Sequence, residues 1–475
     1  MKPSNANDSH INEHWLTSLM QMRAKDNLLL QQRHINPSLK ELHSIVGFNR
    51  SFVKASGSTL TDDKGINYHD FLSGFGVHNI GHNHPQVISA LNEILATFSP
   101  SFCQISSELL VGLAAEHLSQ HLPKDITRIF FCNSGSEAID AAIKLARAAT
   151  KKKRIVYCSG AYHGTTLGAL SVTDNRRLRR RFGPLIPGVI CIPFGNIEAL
   201  EHVLMNKDIA ALIIEPILAE GGVIMPPKGF LTNATALCKA NECLIIADEI
   251  QCGMGRTGSF LACNRFDFTP DIITLAKALG GGLMPVGAMA TRSDIFNRAY
   301  GSLRTCLDHT TTFSGGPLAM AAVIATLKVL DDEKLTYNAQ EQGTYLKNKL
   351  NALRNRHPQI VEIRGTGLMM GVQFADVSHG VFAKLFLGEI GKASAGLFAQ
   401  YIALRLIEEH HIITQVAAND PSVLKIMPPL AINQQQCDEF IKALDSVLSE
   451  GGHTKAWKYL IANYRKATTT PRRTH

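Results

Sequence analysis

Seven short apolar runs, rich in Val and Ile, constrain the fold of this chain more than any other feature. They are residues 128–134, 154–159, 188–193, 210–216, 244–250, 272–277 and 286–291. Most are almost continuously apolar, which is typical of strands buried on both faces of a mainly parallel sheet. Helical segments such as 136–150 and 230–242 lie between them. The alternation predicts an α/β domain with a mainly parallel, seven-stranded sheet.

The patterns on both sides of these runs predict a second, smaller unit of α+β type. Before them, a helix is predicted from Trp15 to Leu42 and a hairpin near Thr59 to Phe71, where Asp-Lys-Gly forms the turn. After them, the predicted elements are a long helix after Gly315, strands around 360–374, a helix over 382–411, a strand near 424–426 and a helix over 434–448. We predict a large domain over 76–330. Its smaller companion combines the N-terminal segment, 1–75, with residues 331–475, which end in a basic tail.

Composition excludes several classes of protein. The chain is 45% apolar and 19% charged, as in ordinary globular proteins. Its net charge of +8, spread over 475 residues, does not indicate a nucleic-acid partner. No apolar run approaches the roughly 18 residues of a membrane helix, and the polar start lacks a secretory signal. None of the ten cysteines has CxxC spacing. We therefore expect a cytoplasmic protein with reduced thiols and no metal site.

A glycine pattern and two basic clusters need separate interpretation. Gly253, Gly255 and Gly258 match the spacing of a dinucleotide-binding turn, but a loop with Pro270 follows where that fold needs a helix. The clusters at 151–154 and 176–181 lack a platform of aromatic residues for stacking bases. We interpret them as solvated surface or interface charges.

Four segments carry residue types that suit a phosphate-bearing cofactor. A strand that ends in Asn-Ser-Gly-Ser and opens into a helix places free backbone N–H groups at a helix N-terminus. Gly135 there permits close approach of a phosphate, and Ser136 adds a hydroxyl. Asp248 ends a very apolar strand, where a carboxylate needs a cationic or hydrogen-bonding partner. Lys277 ends another apolar strand and is placed to act as a Schiff-base nucleophile. Tyr162, in a loop after a strand, can lie flat on an aromatic ligand.

Together these residues indicate pyridoxal 5'-phosphate, because the lysine can form the imine and the acid can pair with the pyridinium nitrogen. Between about Ser58 and Leu448 the chain resembles the class-III aminotransferases, which are fold-type-I pyridoxal-phosphate enzymes. Within them it is most similar to the putrescine and ornithine branch. The motifs that carry the resemblance are HNIGHNHP (78–85), NSGSEA (133–138), PFGNIEAL (193–200), DEIQCGMGRTG (248–258), LAKALGGGLMP (275–285) and HTTTF (309–313).

The resemblance implies a role for each matching residue of the cofactor site. Lys277 would carry the cofactor and move the proton, and Asp248 would pair with the ring nitrogen. Gly135 and Ser136 would hold the phosphate, while Tyr162 would stack on the ring.

Further residues complete the set that the resemblance implies. His163, Glu215 and Gln251 would also border the cofactor, with Gln251 near its 3-hydroxyl group. Thr312 would reach the phosphate of the neighbouring subunit, which implies a homodimer. Glu220 resembles the gate glutamate of the ornithine branch and, with Lys425, is expected to contact the substrate.

Some positions depart from the family pattern. Lys425 stands where relatives usually carry an arginine that binds the acceptor's α-carboxylate, and lysine cannot form the same bidentate fork. The usual asparagine before Pro317 is absent. Residues 377–411 are longer and more apolar than expected, which suits either the wall of a hydrophobic substrate site or an enlarged helix.

The sequence leaves alternative functions open. The first is transfer of an amino group from an ω-amine, diamine or ω-amino acid to an oxo acid by a ping-pong mechanism. The second is amination of a long or hydrophobic aldehyde in a biosynthetic pathway, which Lys425 and the apolar stretch favour. A pyridoxal-phosphate mutase or decarboxylase is a third. A catalytically inactive binding protein is the fourth, and Lys277 with Asp248 argues against it.

Overall fold

The computed structural model describes residues 14–45, 50–98, 100–101, 107–375 and 396–450. The basic tail beyond residue 450 and most of the apolar stretch at 377–411 lie outside these ranges. The strands are β1 Phe52–Ser56, β2 Thr59–Asp62, β3 Asn67–Asp70, β4 Ile126–Cys132, β5 Arg154–Cys158, β6 Val189–Ile192, β7 Ile209–Ile214, β8 Leu244–Asp248, β9 Ile272–Leu275, β10 Gly287–Arg292, β11 Ile360–Thr366, β12 Met369–Phe374, β13 Ile412–Ile413, β14 Gln415–Val416 and β15 Val423–Ile426.

The α-helices pack around these strands. They are α1 Trp15–Arg23, α2 Asn27–His34, α3 Pro37–Ile45, α4 Ser73–Gly76, α5 Pro85–Ala96, α6 Leu109–Ser119, α7 Gly135–Thr150, α8 Leu167–Ser171, α9 Arg176–Arg179, α10 Ile197–Leu204, α11 Phe230–Ala240, α12 Ser293–Tyr300, α13 Pro317–Asp332, α14 Leu335–Arg356, α15 Leu397–Glu409 and α16 Gln434–Glu450. In the part of the chain that the structure describes, no helix combines the length and apolarity needed to cross a membrane.

The predicted seven-stranded sheet is confirmed. Its strand order is β4-β10-β9-β8-β7-β5-β6, and the strands pair in parallel except where β10 meets β4 and β9. Every residue of β7, β8 and β9 is buried, as expected for strands covered on both faces. Helix α7 covers one face with the buried side of its turns, which includes Ile139, Ile143 and Leu145. The carboxyl ends of β4, β5, β7, β8 and β9 therefore share one edge, where such sheets bind ligands.

Two four-stranded sheets accompany the large one. The first has the order β1-β2-β3-β13, so strands from both ends of the chain meet in it, with His69 beside Ile412 in parallel register. The second has the order β11-β12-β15-β14 and places Lys425 of β15 opposite Gly371 of β12. Both arrangements agree with additional α and β elements around a large sheet. The domain boundaries at residues 75 and 330 stay predictions.

The N-terminal helix differs from its prediction. Instead of one helix from Trp15 to Leu42, the chain forms α1, a 3-10 turn over Ala24–Asp26, α2 and α3. Pro37 opens α3, and the residue before a proline is disfavoured in helical conformation, so the chain breaks at Asn36. No residue of α1 or α2 is buried, so packing does not hold them in one continuous helix.

Candidate active site

A cavity of about 480 Å³ lies at the carboxyl edge of the seven-stranded sheet. Segments that follow β4, β5, β7, β8 and β9 all contribute to its walls. Eight of the nine residues predicted to bind the cofactor line it, and the ninth, Thr312, does not. The lining residues from that set are Gly135, Ser136, Tyr162, His163, Glu215, Asp248, Gln251 and Lys277. The structure thus brings together residues that are up to 142 positions apart in the sequence (277 − 135).

The N-terminus of α7 forms one end of this cavity. Ser134 caps the helix by accepting a hydrogen bond from the Glu137 N–H (3.2 Å), and the Glu137 carboxylate accepts the Asn133 N–H (2.7 Å). This reciprocal cap stabilises the first turn, whose N–H groups have no partner within the helix. Gly135 and Ser136 present that turn to the cavity. The positive end of the helix dipole therefore favours an anion there.

Asp248 lies at the end of β8 and is held by hydrogen bonds that include a 3.5 Å bond from the Thr274 hydroxyl. Its Oδ2 is 2.7 Å from Nδ1 of His163, and its Oδ1 accepts the Ile250 N–H at 3.0 Å. Both Asp248 and His163 are buried. Since an ionised carboxylate only accepts, His163 donates from Nδ1. These are the partners that a carboxylate at the end of an apolar strand requires.

The loop after β5 is fixed by further side chains. The Tyr162 N–H donates to Oε1 of Glu215 (2.9 Å), and the His163 N–H donates to the Thr173 hydroxyl (2.9 Å). Burial raises the pKa of Glu215 to about 7; nearby His163 opposes this shift and Asp248 adds to it. Tyr162 lines the cavity and is half-buried, and burial with the nearby Glu220 charge raises the pKa of its phenol. The aromatic side chain is therefore held at the wall by a rigid loop.

Lys277 lies two residues after the end of β9 and begins a 3-10 turn, with a φ of 47°. This left-handed conformation is unusual for a residue with a side chain and is found preferentially at functional positions. The side chain lines the cavity. It is the only lysine or arginine that lines this cavity in the residues that the structure describes.

An ion pair between Lys425 and Glu220 lies beside the cavity. The Lys425 ammonium donates to Oε1 of Glu220, and the other oxygen of Glu220 accepts the Ala418 N–H at 3.0 Å. Gln251, which lines the cavity, donates to the Phe75 carbonyl (2.9 Å) and lies 3.4 Å from the same Glu220 oxygen. The sequence analysis expected both residues at the substrate but missed Phe75, whose ring centre is 4.6 Å from the ammonium. Phe75 lies three residues before the motif HNIGHNHP (78–85), and this closeness was the available signal.

Each residue of this pair affects the pKa of the other. Burial alone would raise the pKa of Glu220, but the charge and hydrogen bond of Lys425 outweigh it, and the pKa lies below its ordinary value. Burial lowers the pKa of Lys425, whose side chain is completely shielded from solvent. The Lys425 ammonium thus contacts the Glu220 carboxylate and the Phe75 ring.

Thr312 lies outside the cavity of the single chain. It is exposed in the segment between α12 and α13. Three large apolar side chains of the same segment, Leu303, Leu307 and Phe313, are 98%, 79% and 60% exposed. One chain therefore offers an exposed, partly apolar surface at the position predicted to face a neighbouring subunit.

The geometry fits a phosphate-bearing aromatic cofactor. A Cβ atom added to Gly135 would lie 2.9 Å from the Ile250 side chain, and one added to Gly164 would lie 2.1 Å from the Ser136 hydroxyl. Glycine at both positions lets the side chains of Ile250 and Ser136, which line the cavity, pack directly against the backbone there. His163 Nε2 is buried and has no hydrogen-bond partner among the described residues. Anion site, buried acid, aromatic wall and lysine all meet in a cavity of the size that cofactors occupy.

Solved structures with the same fold are aminotransferases. The ornithine aminotransferase of Toxoplasma gondii ME49 has a TM-score of 0.76 and 27% identity, and the match covers 94% of this chain and 99% of that one. A second structure of the T. gondii enzyme has partial occupancy of PLP at its active site. The acetylornithine aminotransferase of Elizabethkingia anophelis has a TM-score of 0.70 and 28% identity, covering 87% of this chain and 98% of that one. The fold is that of a fold-type-I pyridoxal-phosphate transferase.

Residues 45–448 match the family "Aminotransferase class-III", and the chain belongs to that family. This is a family of enzymes that transfer nitrogenous groups between small molecules, and it implies pyridoxal phosphate as cofactor. A curated relative, Aminotransferase PigE of Serratia sp. (strain ATCC 39006), is 36% identical over 456 residues. The match covers 90% of this chain and 54% of that protein, so the chain spans about half the length of this curated relative.

Proposed function

We propose that this chain is a pyridoxal-phosphate-dependent aminotransferase that moves an amino group from an ω-amine, diamine or ω-amino acid to an oxo acid. The observation that carries the proposal is the placement of Lys277 and Asp248 in one cavity with the N-terminus of α7. The likeness to the ornithine and acetylornithine aminotransferases supports this branch of the family. The mechanism we propose is ping-pong, in which the donor's product leaves before the acceptor binds.

In this proposal, different residues around the cavity bind different parts of the cofactor. The first turn of α7, with Gly135 and Ser136, holds the phosphate through backbone N–H groups and a hydroxyl. Asp248, oriented by His163, pairs with the ring nitrogen and keeps it protonated. Tyr162 packs on the ring, and Gln251 and Glu215 border it. When bound, the cofactor supplies the carbonyl group that accepts the amino group and a ring that takes up the electron pair.

The chain's own residues then manage the proton. Lys277 is the residue to which we assign covalent attachment of the cofactor. Its amino group would move one proton, from the substrate carbon that bears the amino group to the cofactor carbon that accepts this group. The buried pair of Glu220 and Lys425 lies beside this region and is proposed to contact the substrate.

We also propose that the active protein is a homodimer. Thr312 would reach the cofactor phosphate of the neighbouring subunit, and the exposed side chains of Leu303 and Leu307 would be covered by that subunit. Sedimentation analysis checks the assembly: a monomer at micromolar concentration would contradict it. The cytoplasmic location stays a prediction.

A substrate panel tests the proposal. Putrescine, cadaverine, ornithine and β-alanine are offered as donors, each with pyruvate and with 2-oxoglutarate, and the oxo products are measured. We expect turnover of at least one ω-amine with parallel double-reciprocal plots. The absence of turnover with every one of these donors would contradict the first function.

The complete burial of the Lys425 side chain favours a second candidate function, the amination of a long or hydrophobic aldehyde. Because its ammonium is shielded and paired, it offers no free cation to a substrate carboxylate. The cavity wall also carries Ile250, Leu283, Met284 and Val286, which suit an apolar chain. Adding medium-chain and branched aldehydes to the panel, with an amine donor, distinguishes the two. Preference for these aldehydes over both oxo acids would support the second candidate.

A further inference from the structure

Glu215 joins two segments that form different walls of the cavity. It lies directly after β7 and is 3% exposed. One carboxylate oxygen accepts the N–H of Tyr162 (2.9 Å), and the other accepts the N–H of Ala219 (3.1 Å). Both partners are backbone groups. The Glu215 side chain therefore fixes the backbone at Tyr162, in the loop after β5, and at Ala219, four residues after Glu215 itself.

The two amides belong to segments with different tasks. Tyr162 is the aromatic residue at the cofactor side, on the loop after β5. Ala219 directly precedes Glu220, which is paired with Lys425 on the substrate side. The segments also lie close together, because a Cβ added to Gly221 would lie 3.1 Å from the Gly160 carbonyl oxygen. One buried carboxylate thus fixes the distance between the cofactor side and the substrate side.

We propose that Glu215 is a positioning residue that sets the Tyr162 ring and the Glu220 carboxylate relative to the bound cofactor, and that it acts through these two backbone amides. The inference rests on the proposed function. It assigns Glu215 a task that differs from direct binding of the cofactor, because each of its oxygens already receives an N–H group. Substituting it would leave one or both buried amides without an acceptor and release both segments.

A second buried glutamate provides a matched control. Glu249 is 0% exposed, and its two oxygens also accept two backbone N–H groups, those of Ala262 (2.9 Å) and Cys263 (2.7 Å). It does not line the cavity. Substitution of Glu249 therefore reproduces the loss of a buried carboxylate with two amide partners, without altering Tyr162 or Glu220.

The experiment compares the wild-type protein with Glu215→Gln and Glu249→Gln. The carboxamide keeps the size of the side chain but can accept only one of the two N–H groups at its oxygen. For each protein, the dissociation constant of pyridoxal phosphate is measured by equilibrium dialysis, and the visible circular dichroism of the bound cofactor is recorded. Both variants are expected to melt at lower temperature than the wild type.

Only Glu215→Gln is expected to change the cofactor site. Its affinity for pyridoxal phosphate should fall on the order of tenfold to a hundredfold. Metal sites lose affinity to this extent when a residue that orients one of the metal ligands is substituted. Its visible dichroism should decrease because the ring loses its fixed orientation. Should Glu215→Gln fail to fold, Glu215→Asp, which keeps the charge but shortens the side chain, replaces it and the same changes are expected.

Two results would overturn parts of the scheme separately. Equal cofactor affinity and equal dichroism in the Glu215 and Glu249 variants would overturn the positioning role and leave the proposed function intact. A wild-type protein that takes up no pyridoxal phosphate would instead contradict the proposed function.

Discussion

The ammonium group of Lys425 and the carboxylate of Glu220 form an ion pair that is almost completely closed off from water. The Lys425 side chain is 0% exposed and that of Glu220 is 10% exposed. The residues are 205 positions apart in the chain. A buried pair of this kind contributes little net stability as a pair, but either charge left alone is costly.

Lys425→Met is therefore expected to destabilise the protein. The buried Glu220 would lose its cation, and the free energy of unfolding at neutral pH should fall by about 3–5 kcal/mol. The double variant with Glu220→Gln should recover a large part of this loss. Urea unfolding of the cofactor-free proteins measures both. A single variant as stable as the wild type would contradict the ion pair.

The pH dependence of this effect has a definite sign. Lys425 holds the pKa of Glu220 below its ordinary value of 4.5, despite burial. The contribution of Glu220 to stability is therefore present above pH 4.5 and lost as the pH falls through its lower folded-state pKa. The stability difference between wild type and Lys425→Met should shrink in that acidic range.

Lys425→Arg tests the acceptor. A guanidinium can bind Glu220 and still present further N–H donors to a carboxylate. If the chain transfers amino groups to oxo acids, the kcat/KM for 2-oxoglutarate should stay the same or increase. A clear loss of 2-oxoglutarate turnover, with the aldehyde reactions retained, would show that lysine itself is required and would favour the second candidate function.

Lys277→Ala should abolish covalent attachment of the cofactor and nearly all transaminase activity. The visible absorption band of the lysine-bound cofactor should be absent after purification and dialysis. Lys328→Ala provides the control, because Lys328 is 63% exposed on α13 and does not line the cavity. A Lys277 variant that keeps the band would refute the assignment.

Asp248→Asn should reduce kcat on the order of a hundredfold to a thousandfold. The amide keeps the volume of the side chain and an oxygen for the Ile250 N–H, but it lacks the negative charge that holds the ring nitrogen protonated. Asp271→Asn is the control: Asp271 is partly buried, bonds the Ile245 N–H and Arg292, and does not line the cavity. Equal loss of kcat in both variants would indicate general damage to the sheet.

Glu215 should make the stability of the protein depend on pH near neutrality. Burial raises its pKa to about 7 from an ordinary 4.5. The corresponding stability is complete below pH 4.5 and is lost as the pH rises through about 7. Relative to Glu215→Gln, the wild type should lose up to about 3 kcal/mol over that range. His163 and Asp248 are present in both proteins, so the difference isolates Glu215; a flat difference would contradict the raised pKa.

The large sheet and the residues of the site could be predicted because short, continuous stretches of sequence carry the signal for each. Strands such as β7 are apolar at every position, since both faces are covered. Asp248 ends a strand, Gly135 and Lys277 each lie shortly after one, and the ends of such strands meet at one edge of a sheet. Local pattern and general topology together therefore place these residues in one cavity.

Contacts between distant side chains could not be predicted in the same way. The bond between His163 and Asp248 spans 85 positions, and the approach of Lys425 to Phe75 spans 350 (425 − 75). Such pairs depend on how the loops pack. The break of the N-terminal helix was missed for another reason: residues 15–34 have good helix formers, but no residue of α1 or α2 is buried, so no packed face holds them in one helix.

The pairing of β3 with β13 has a consequence for how the chain matures on the ribosome. The last strand of the large sheet ends at Arg292, whereas the partner of His69 is Ile412, 120 residues later (412 − 292). During synthesis the large sheet can close first, while the outer edge of β3 waits with unpaired N–H and C=O groups. A chain truncated within that interval would contain every residue that lines the cavity, but the outer edge of β3 would stay open to pairing with another copy.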